Sequence, residues 1–340
     1  MGNITIRILA RKLQLSAATV SKALTDSHEI SEKTKQRVLA LAAELNYTPN
    51  PYASGLRKKK SKTIAVILPE VADSFFAQVI DGVESVAQDK GYHVLIRLTH
   101  ENASKEQAIL KDLQGGRADG VLMSVSSETT GSAHVKELQE KGVPLIFFDR
   151  IYEDIEAAKV VTDDRDSAYA ATTHLIQRGC RKIALLSISG TLSISNQRSE
   201  GYRKALSDHG VLSGATHIIA CTHDQAANYR LLKERMEGPD PPDGIIATVE
   251  KLSITVYEVC HALSLDIPGQ VKVIAFSNLP AATLLDPPLT TITQPAFEMG
   301  KAAASMLFKA LGNERLDLSK EGLVIPSTLM IRGSTGGEGV

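Results

Sequence analysis

The sequence lacks features that would place the protein in a membrane or outside the cell. It contains no apolar run of about 20 residues, so we expect no membrane-spanning helix and no membrane partner. Arg7 interrupts what would be the apolar stretch of a secretion signal, so we expect a cytoplasmic protein. The three cysteines, Cys180, Cys221 and Cys260, are far apart and odd in number. That pattern suits a reducing compartment and argues against a disulfide framework or a metal site.

Sequence motifs of common enzyme classes are also missing. No GxGxxG motif follows a predicted strand, Gly300-Lys301 is followed by Ala302 rather than Ser or Thr, and neither His-Glu-x-x-His nor a nucleophile elbow occurs. The nine histidines are scattered without the spacing of metal ligands. We therefore expect no catalytic residues, no cofactor and no bound metal.

The chain does have length and an uneven distribution of charge. Its 340 residues suggest two or three domains. Residues 1–60 carry 11 Lys and Arg against 4 Asp and Glu, a formal charge of +7, so the total of −1 leaves −8 on the remaining residues. A basic head on an acidic body is typical of a head that binds nucleic acid.

Three amphipathic segments predict three helices in the head. They run from about Ile6 to Leu13, from Ser16 to Leu24 and from about Ser31 to Leu45, with Thr5, Ser16 and Ser31 as N-caps. Only Gln14 and Leu15 join the first two segments. So short a link forces a steep crossing and predicts a helix-turn-helix, with a three-helix protein-interaction module as the alternative.

The second of these helices has the composition of a DNA-reading helix. Ala17 and Ala18 are small enough to let it lie deep in the major groove. Lys22 can donate to guanine or to phosphate, and Thr19 or Ser21 can donate to phosphate.

A linker with turn-forming and basic residues follows the head. Asn50 can cap a short helix that begins at Pro51. Gly55 costs that helix about 1 kcal/mol of stability, so the helix should be poorly formed on its own. Leu56 can wedge between minor-groove base steps while the basic run after it holds phosphates.

In these residues the chain resembles the LacI/GalR family of bacterial regulators. The residues that match are Ile4-Thr5-Ile6, Ala10, Ser16 through Leu24, Ile30-Ser31, Thr34, Val38, Leu45-Asn46-Tyr47, Pro49-Asn50 and Ala53 through Leu56, and the resemblance continues to about Arg332. It implies a homodimer that reads a near-palindromic operator in double-stranded DNA. One residue departs from the pattern, because Gln14 stands where the family usually has Gly or Asn. A left-handed conformation there costs Gln roughly 1 kcal/mol.

The resemblance also implies which residues contact DNA. Ala17, Ala18 and Lys22 stand where the family reads bases, and Leu56 stands where it wedges the minor groove. The full set of expected DNA contacts is Thr5, Ser16, Ala17, Ala18, Thr19, Ser21, Lys22, Asn50, Ala53, Leu56 and Arg57.

From residue 62 the pattern alternates between strands and helices. The predicted strands are Thr63–Leu68, His93–Leu98, Gly120–Ser124, Pro144–Phe148, Lys182–Ser187, Gly244–Thr248 and Val271–Phe276. The predicted helices include Phe76–Lys90, Lys105–Gln114, Asp166–Arg178, Gln197–His209 and Ile254–Leu263. This order predicts an α/β body of two doubly wound parallel-sheet subdomains behind an all-α helix-turn-helix head, like the periplasmic binding proteins of type I.

In such sheets a ligand binds beyond the carboxyl ends of the strands, here in the cleft between the two halves. The candidate effector-binding residues at those ends are Asp73, Phe75, Phe76, Asp149, Arg150, Arg198, Ser277 and Gln294. Aromatic rings can stack on the C–H face of a sugar ring, while Asp and Arg bind its hydroxyls.

The body also resembles periplasmic sugar-binding proteins of the ribose type. It departs from them in the second half, where Val249 and Glu250 replace a usual Asn-Asp pair and Ser277 replaces a sugar-binding Asp; Asp73 replaces a usual Asn. We therefore expect a small sugar-related effector that does not bind in the pose of ribose.

These observations predict a five-part chain. The parts are a DNA-binding domain (1–48), a hinge helix and linker (49–61), an N-terminal core subdomain (62–161 and 292–322), a C-terminal core subdomain (162–291 and 323–335) and a flexible tail (336–340). The expected function is an effector-controlled repressor of carbohydrate-related genes. A periplasmic ligand-binding protein and an enzyme are the alternatives. No apolar heptads occur near the end of the sequence, so a dimer is the expected assembly.

Overall fold

The computed structural model describes residues 4–47, 61–128, 131–211, 217–312 and 317–337. The chain divides into two compact units, residues 1–61 and 62–340, which we call the head and the body. None of the helices in the described ranges is long and apolar enough to cross a membrane.

The head contains the three predicted helices, α1 (Ile6–Leu13), α2 (Ala17–Leu24) and α3 (Glu32–Glu44). Ser16 and Ser31 are confirmed as side-chain caps, because their hydroxyls accept hydrogen bonds from the backbone N–H three residues later. Thr5 is the N-cap residue of α1, but its side chain makes no capping bond. The helices pack around a small core of Leu9, Ala10, Val20, Ala23, Val38 and Ala42.

The turn between α1 and α2 has the conformation that makes Gln14 unusual. Gln14 is left-handed, with φ 55° and ψ 40°. Its conformation lets the N–H of Leu15 reach the carbonyl of Ala10 at 2.9 Å, which is the bond that closes a Schellman cap. The geometry that sequence analysis expected to cost Gln roughly 1 kcal/mol is therefore present.

The body begins with alternating strands and helices. These are β1 (Thr63–Leu68), α4 (Ser74–Asp89), β2 (His93–Leu98), α5 (Ala103–Leu113), β3 (Gly120–Met123), α6 (Ala133–Glu140), β4 (Leu145–Phe148) and β5 (Ala158–Thr162). All the predicted strands of this region are confirmed to within one residue. Strand β5 was not among the predicted strands.

The second half continues the alternation. Its elements are α7 (Asp164–Gln177), β6 (Ile183–Ser187), α8 (Ser193–Asp208), β7 (Ile218–Ala220), α9 (Gln225–Glu237), β8 (Gly244–Ala247), α10 (Glu250–Ala262), β9 (Lys272–Phe276) and β10 (Thr290–Thr293). Helix α8 begins four residues before the predicted Gln197. Its first turn is rich in Ser, a residue type that favours loops by sequence, but Ile194 and the neighbouring serines are buried there.

The chain ends with α11 (Ala296–Gly312), β11 (Gly322–Ile325) and β12 (Thr328–Met330). They complete two six-stranded sheets, with the orders β11-β5-β4-β3-β1-β2 and β12-β10-β9-β8-β6-β7. Among the described residues, every pairing in the first sheet is parallel, and in the second only β10 with β12 is antiparallel. The expected pair of doubly wound sheets is confirmed.

The late segments correct two predicted boundaries. Residues 292–322 were expected in the N-terminal subdomain, but β10 extends to Thr293 and pairs with β9 and β12 in the second sheet. Residues 323–335 were expected in the C-terminal subdomain, but β11 pairs with β5 in the first sheet. A four-residue apolar strand carries no signal for which of two sheets it joins. The chain therefore passes between the halves near residues 162–163, 294–295 and 326–327.

Each sheet is covered by helices on both faces. In the first half, α4 and α11 cover one face and α5 and α6 the other. In the second half, α9 and α10 cover one face and α7 and α8 the other. Two helix pairs approach closely at glycines, because a Cβ on Gly82 would lie 2.1 Å from the carbonyl oxygen of Phe297 and one on Gly201 would lie 2.0 Å from that of Arg165.

Candidate functional site

The described part of the head carries seven of the expected DNA contacts, on α2 and just before its helices. Thr5, Ser16 and Ala17 are exposed, and Ala18 and Ser21 are partly exposed. These side chains are small, as an approach to the floor of a DNA groove requires.

Two of the expected donors already have partners within the head. The hydroxyl of Thr19 shares a hydrogen bond of 2.8 Å with Ser16 Oγ. The ammonium group of Lys22 forms an ion pair with Glu29, which sequence analysis did not identify. An exposed ion pair is worth about 0–1 kcal/mol, so contact with DNA could replace it at little cost.

Four expected DNA contacts, Asn50, Ala53, Leu56 and Arg57, lie outside the described residues, as does the predicted hinge helix.

The body brings all the candidate effector-binding residues to one cavity between its two halves. Asp73, Phe75, Phe76, Asp149, Arg150, Arg198, Ser277 and Gln294 line it, together with Ile194, Thr248, Val249, Glu250 and Phe276. The candidate residues are buried except Asp73, which is partly exposed. The free space left between them is about 20 Å³, room for about one water molecule.

The ends of secondary-structure elements position these side chains. Asp73 is the N-cap of α4, and its carboxylate accepts a hydrogen bond of 2.9 Å from the N–H of Phe75. Asp149 directly follows β4 and is left-handed, with φ 59°. Asp is one of the few residue types that adopt this conformation at modest cost, and strained backbone of this kind is concentrated at functional sites.

Arg150 is held on the first half by a buried carboxylate. Its Nη1 donates to both oxygens of Glu101, at 2.9 and 3.0 Å. Burial disfavours the charged form of Glu101, but the guanidinium of Arg150 outweighs it and holds the pKa of this carboxyl below its usual range.

Arg198 is held in the same way on the second half. Its Nε donates to Asp164 Oδ1 at 2.7 Å, and its Nη1 donates to the carbonyl of Thr248. The guanidinium lies over the ring of Phe276, with 3.9 Å from Cζ to the ring centroid. The carboxylate that holds Arg198 belongs to the same half of the body.

Glu250 connects the two halves at the opposite wall. Its Oε1 accepts hydrogen bonds from the N–H and the hydroxyl of Ser74, at 3.1 and 2.9 Å, across the cleft. Its Oε2 accepts from Ser277 Oγ at 2.9 Å. The departures at 250 and 277 therefore belong together, because an ionised Asp at 277 could not donate to Glu250 and would repel it.

Two carboxyl groups of the cavity have perturbed acidity. Burial, followed by the charge of Glu250, raises the pKa of Asp73 from 3.8 to about 6. Burial raises the pKa of Asp149 from 3.8 to about 6 as well, against the opposing charges of Arg150 and Arg198. Carboxyl groups perturbed in this way in a cleft mark a candidate functional site.

A second set of contacts joins the halves beside the cavity. His223 Nε2 lies 2.7 Å from Ser127 Oγ, and His223 Nδ1 lies 3.2 Å from Lys251 Nζ. Lys251 also donates to Glu70 on the first half, at 3.2 Å. Burial lowers the pKa of His223, which favours the neutral ring that can accept from Lys251. No sequence signal points to these pairs, since they join residues far apart in the chain and depend on how the halves close.

Two cavity residues that were not among the sequence candidates could have been found from their positions at strand ends. Thr248 directly follows β8 and Phe276 ends β9, so both occupy the strand-end positions from which the other candidates were chosen. Glu101 and Asp164 are recognisable only through the guanidinium groups that they hold.

Two family models match the chain. One, described as "Bacterial regulatory proteins, lacI family", matches residues 5–50. The other, described as "Periplasmic binding proteins and sugar binding domain of LacI family", matches residues 61–332, well over half of the chain.

Individual relatives match nearly end to end. Catabolite control protein A of Priestia megaterium is 28% identical over 336 residues, covering 98% of this chain and 99% of that protein. The ribose operon repressor of Halalkalibacterium halodurans is 28% identical over 335 residues and covers 98% of each.

Solved structures show the same fold. The lac repressor dimer bound to operator and the anti-inducer ONPF has a TM-score of 0.83 at 20% identity, covering 98% of this chain and 99% of that one. The transcriptional regulator CelR in complex with cellobiose has a TM-score of 0.73 at 24% identity, covering 97% and 99%.

Proposed function

Because this chain belongs to the LacI family of bacterial regulatory proteins, a family of transcriptional regulators, we propose that it represses carbohydrate-related genes as a homodimer bound to a near-palindromic operator. A small sugar or sugar derivative in the cleft of the body controls this binding. The observation that carries the effector proposal is the convergence of eight strand-end and helix-start candidates on one buried cavity.

The chemistry of the cavity supports a polyhydroxylated ligand. Carboxylates and guanidinium groups bind hydroxyls through paired hydrogen bonds, and the rings of Phe75 and Phe76 offer an apolar surface to a C–H face. The likeness to a cellobiose complex is one of fold and leaves the identity of the sugar open.

Control of DNA binding follows from closure of the cleft. Glu250, Lys251 and His223 bond across it to the first half, so a ligand that enters must compete with or replace these contacts. In a dimer, the closure sets the distance between the two predicted hinges at residues 51–56. An effector that favours one state shifts that equilibrium by its difference in affinity for the two states.

The DNA-binding proposal is tested by selecting bound duplexes from a random library with the full-length protein. The expected consensus has two half-sites related by two-fold symmetry. Lys22→Ala should lose the preference for at least one base pair in each half-site. Lys33→Ala is the matched control, because it removes the same charge from an exposed position of α3 and should leave the consensus unchanged. An asymmetric consensus, or one unaltered by Lys22→Ala, would contradict the proposed mode of reading.

The effector proposal is tested by thermal shift with a panel of sugars, sugar derivatives, purines and amino acids. A sugar-related compound should raise the melting temperature and change operator affinity in a gel shift. If only purines or amino acids stabilise the protein, the sugar assignment is wrong. Sedimentation of the complex with operator DNA should give two chains per duplex, and a single bound chain would refute the dimer.

A further inference from the structure

The cavity of the body has an excess of negative charge. Five carboxylates line it or hold its guanidinium groups, and these are Asp73, Glu101, Asp149, Asp164 and Glu250. Only two guanidinium groups, Arg150 and Arg198, oppose them, which leaves a formal charge of −3. A buried site with this balance attracts cations and repels anions more strongly than a site in water would.

Both guanidinium groups are already bonded to buried partners within the protein. Arg150 is bonded through Nη1 to both oxygens of Glu101, and Arg198 is bonded through Nε to Asp164 and through Nη1 to the carbonyl of Thr248. A phosphate that bound through these same donors would displace a buried carboxylate from its partner and leave that charge unpaired, which is costly.

Two guanidinium nitrogens of the cavity residues make no hydrogen bond within the described residues, the Nη2 of Arg198, which lies 2.6 Å from Asp164 Oδ1 in an ion pair, and the Nε of Arg150. The buried Nε of Arg150 makes no hydrogen bond to any described residue, and the oxygen of its ion pair with Asp149 lies 3.7 Å away. A ligand hydroxyl can accept from this Nε without carrying charge.

The carboxylates of Asp73 and Glu250 provide the matching place for a cation. Asp73 is the N-cap of α4, and Glu250 Oε1 accepts a hydrogen bond from the N–H of the next residue, Ser74. Both carboxylates therefore lie at the start of α4. Their mutual repulsion contributes to the raised pKa of Asp73. A protonated amine between them would relieve this repulsion and donate to both.

The space adjoining the cavity repeats this charge pattern. A cavity of about 350 Å³ shares Asp149 and Ile194 with it. Its carboxylates are Asp149, Glu153, Asp163, Asp164 and Asp166. The basic residue among its lining residues, Arg165, is paired with Glu200 at 3.0 Å. A ligand that enters through this space passes through a negative potential.

We propose that this cleft selects its effector by charge, taking a hydroxylated ligand that bears a protonated amine and rejecting phosphorylated or acidic sugars. The amine lies between Asp73 and Glu250, and a hydroxyl accepts from the Nε of Arg150. The inference rests on the proposed effector function and adds the chemical class of the ligand.

The test compares matched sets of ligands by thermal shift and titration calorimetry with the full-length protein. Each set, built on glucose, galactose or mannose, contains the parent sugar, the 2-amino sugar, its N-acetyl form and the 6-phosphate. At about pH 7 the sugar amine is mainly protonated. We expect at least one amino sugar to bind about tenfold or more tightly than its parent, and no 6-phosphate to bind.

Variants separate the effect of charge from that of shape. Glu250→Gln keeps the shape and an acceptor for Ser74 but removes one charge, so it should reduce the preference for the amine over the parent to about threefold or less. Asp73→Asn removes charge on the facing side and should act in the same direction. Glu298→Gln, on exposed α11 surface outside the cavity, is the control and should keep the full preference.

The outcomes distinguish this inference from the proposed function. A parent sugar or a phosphate that binds as tightly as the amine, or a preference that survives in both charge variants, overturns the charge rule and leaves a sugar effector in place. A panel in which no polyol of any charge stabilises the protein refutes both.

Discussion

Asp73 should destabilise the protein at neutral pH, and its replacement by Asn should therefore be stabilising. Its pKa is raised from 3.8 to about 6 by burial and by the charge of Glu250. A shift of two units corresponds to about 3 kcal/mol of difference between the two protonation states. Asn fits the same site and caps a helix about as well as Asp, so the capping bond to Phe75 is largely kept. Allowing for a weaker capping bond, we expect Asp73→Asn to gain about 2 kcal/mol at pH 7.5.

The pH dependence has a definite sign. Because the pKa of Asp73 is higher in the folded than in the unfolded state, the folded protein binds more protons between about pH 4 and 6. The wild type therefore loses stability from this group as the pH rises through that window, and Asp73→Asn does not. The advantage of the variant should be smaller by about 1.4 kcal/mol at pH 5 than at pH 7.5.

Calorimetric unfolding of the ligand-free protein at these two pH values measures the effect. A gain of about 2 kcal/mol raises the melting temperature of a unit this large by roughly 4–8 °C. Asp224→Asn is the control, since Asp224 also caps a helix, accepting from the N–H of Ala227, but is exposed. It should change the melting temperature little at either pH. A destabilised Asp73→Asn variant, or an advantage that does not shrink at pH 5, would refute the reasoning.

Three further substitutions test other features. Gln14→Gly should stabilise the head by about 0.5–1 kcal/mol, because glycine adopts the left-handed conformation freely. Amide hydrogen exchange within the head should then slow, and an unchanged exchange rate would contradict this. Gly201→Ala should destabilise the body by about 1–3 kcal/mol in denaturant titration, because the new Cβ would lie 2.0 Å from the carbonyl oxygen of Arg165. Gly190→Ala is the control and should leave the free energy of unfolding unchanged, because the space around Gly190 is open. Leu56→Ala, outside the described residues, should weaken operator binding by about 1–3 kcal/mol in a gel shift while sparing effector affinity, and equal operator affinity would exclude the wedge.

Much of the fold was predictable because it depends on local patterns. The strands β1 and β2 are continuous or alternating apolar runs bounded by turn residues, and their predicted bounds are those of the structure. Strand β5 was missed, although the five residues Ala158–Thr162 alternate between buried and partly buried positions in the structure. The sheet that β11 joins could not be predicted, because only tertiary packing determines it.

The cavity was predictable to the extent that it lies at strand ends. Asp149 and Ser277 directly follow buried strands, so the fold class alone brings them to the same edge. The contact between Glu250 and Ser74 joins residues 176 positions apart and depends on closure of the two halves. The raised pKa of Asp73, which burial causes first and the charge of Glu250 second, was equally hidden.

The three passages of the chain between the halves have a consequence for biosynthesis. The first sheet lacks β11 and the cover of α11, and the second lacks β10 and β12, until residues after 290 have been made. During translation, each half therefore leaves the ribosome without its last strands, and one apolar face of the first half is covered only by α4. Such surfaces invite aggregation or chaperone binding. Premature termination before β10 should thus yield two incomplete halves rather than one finished domain and one missing one.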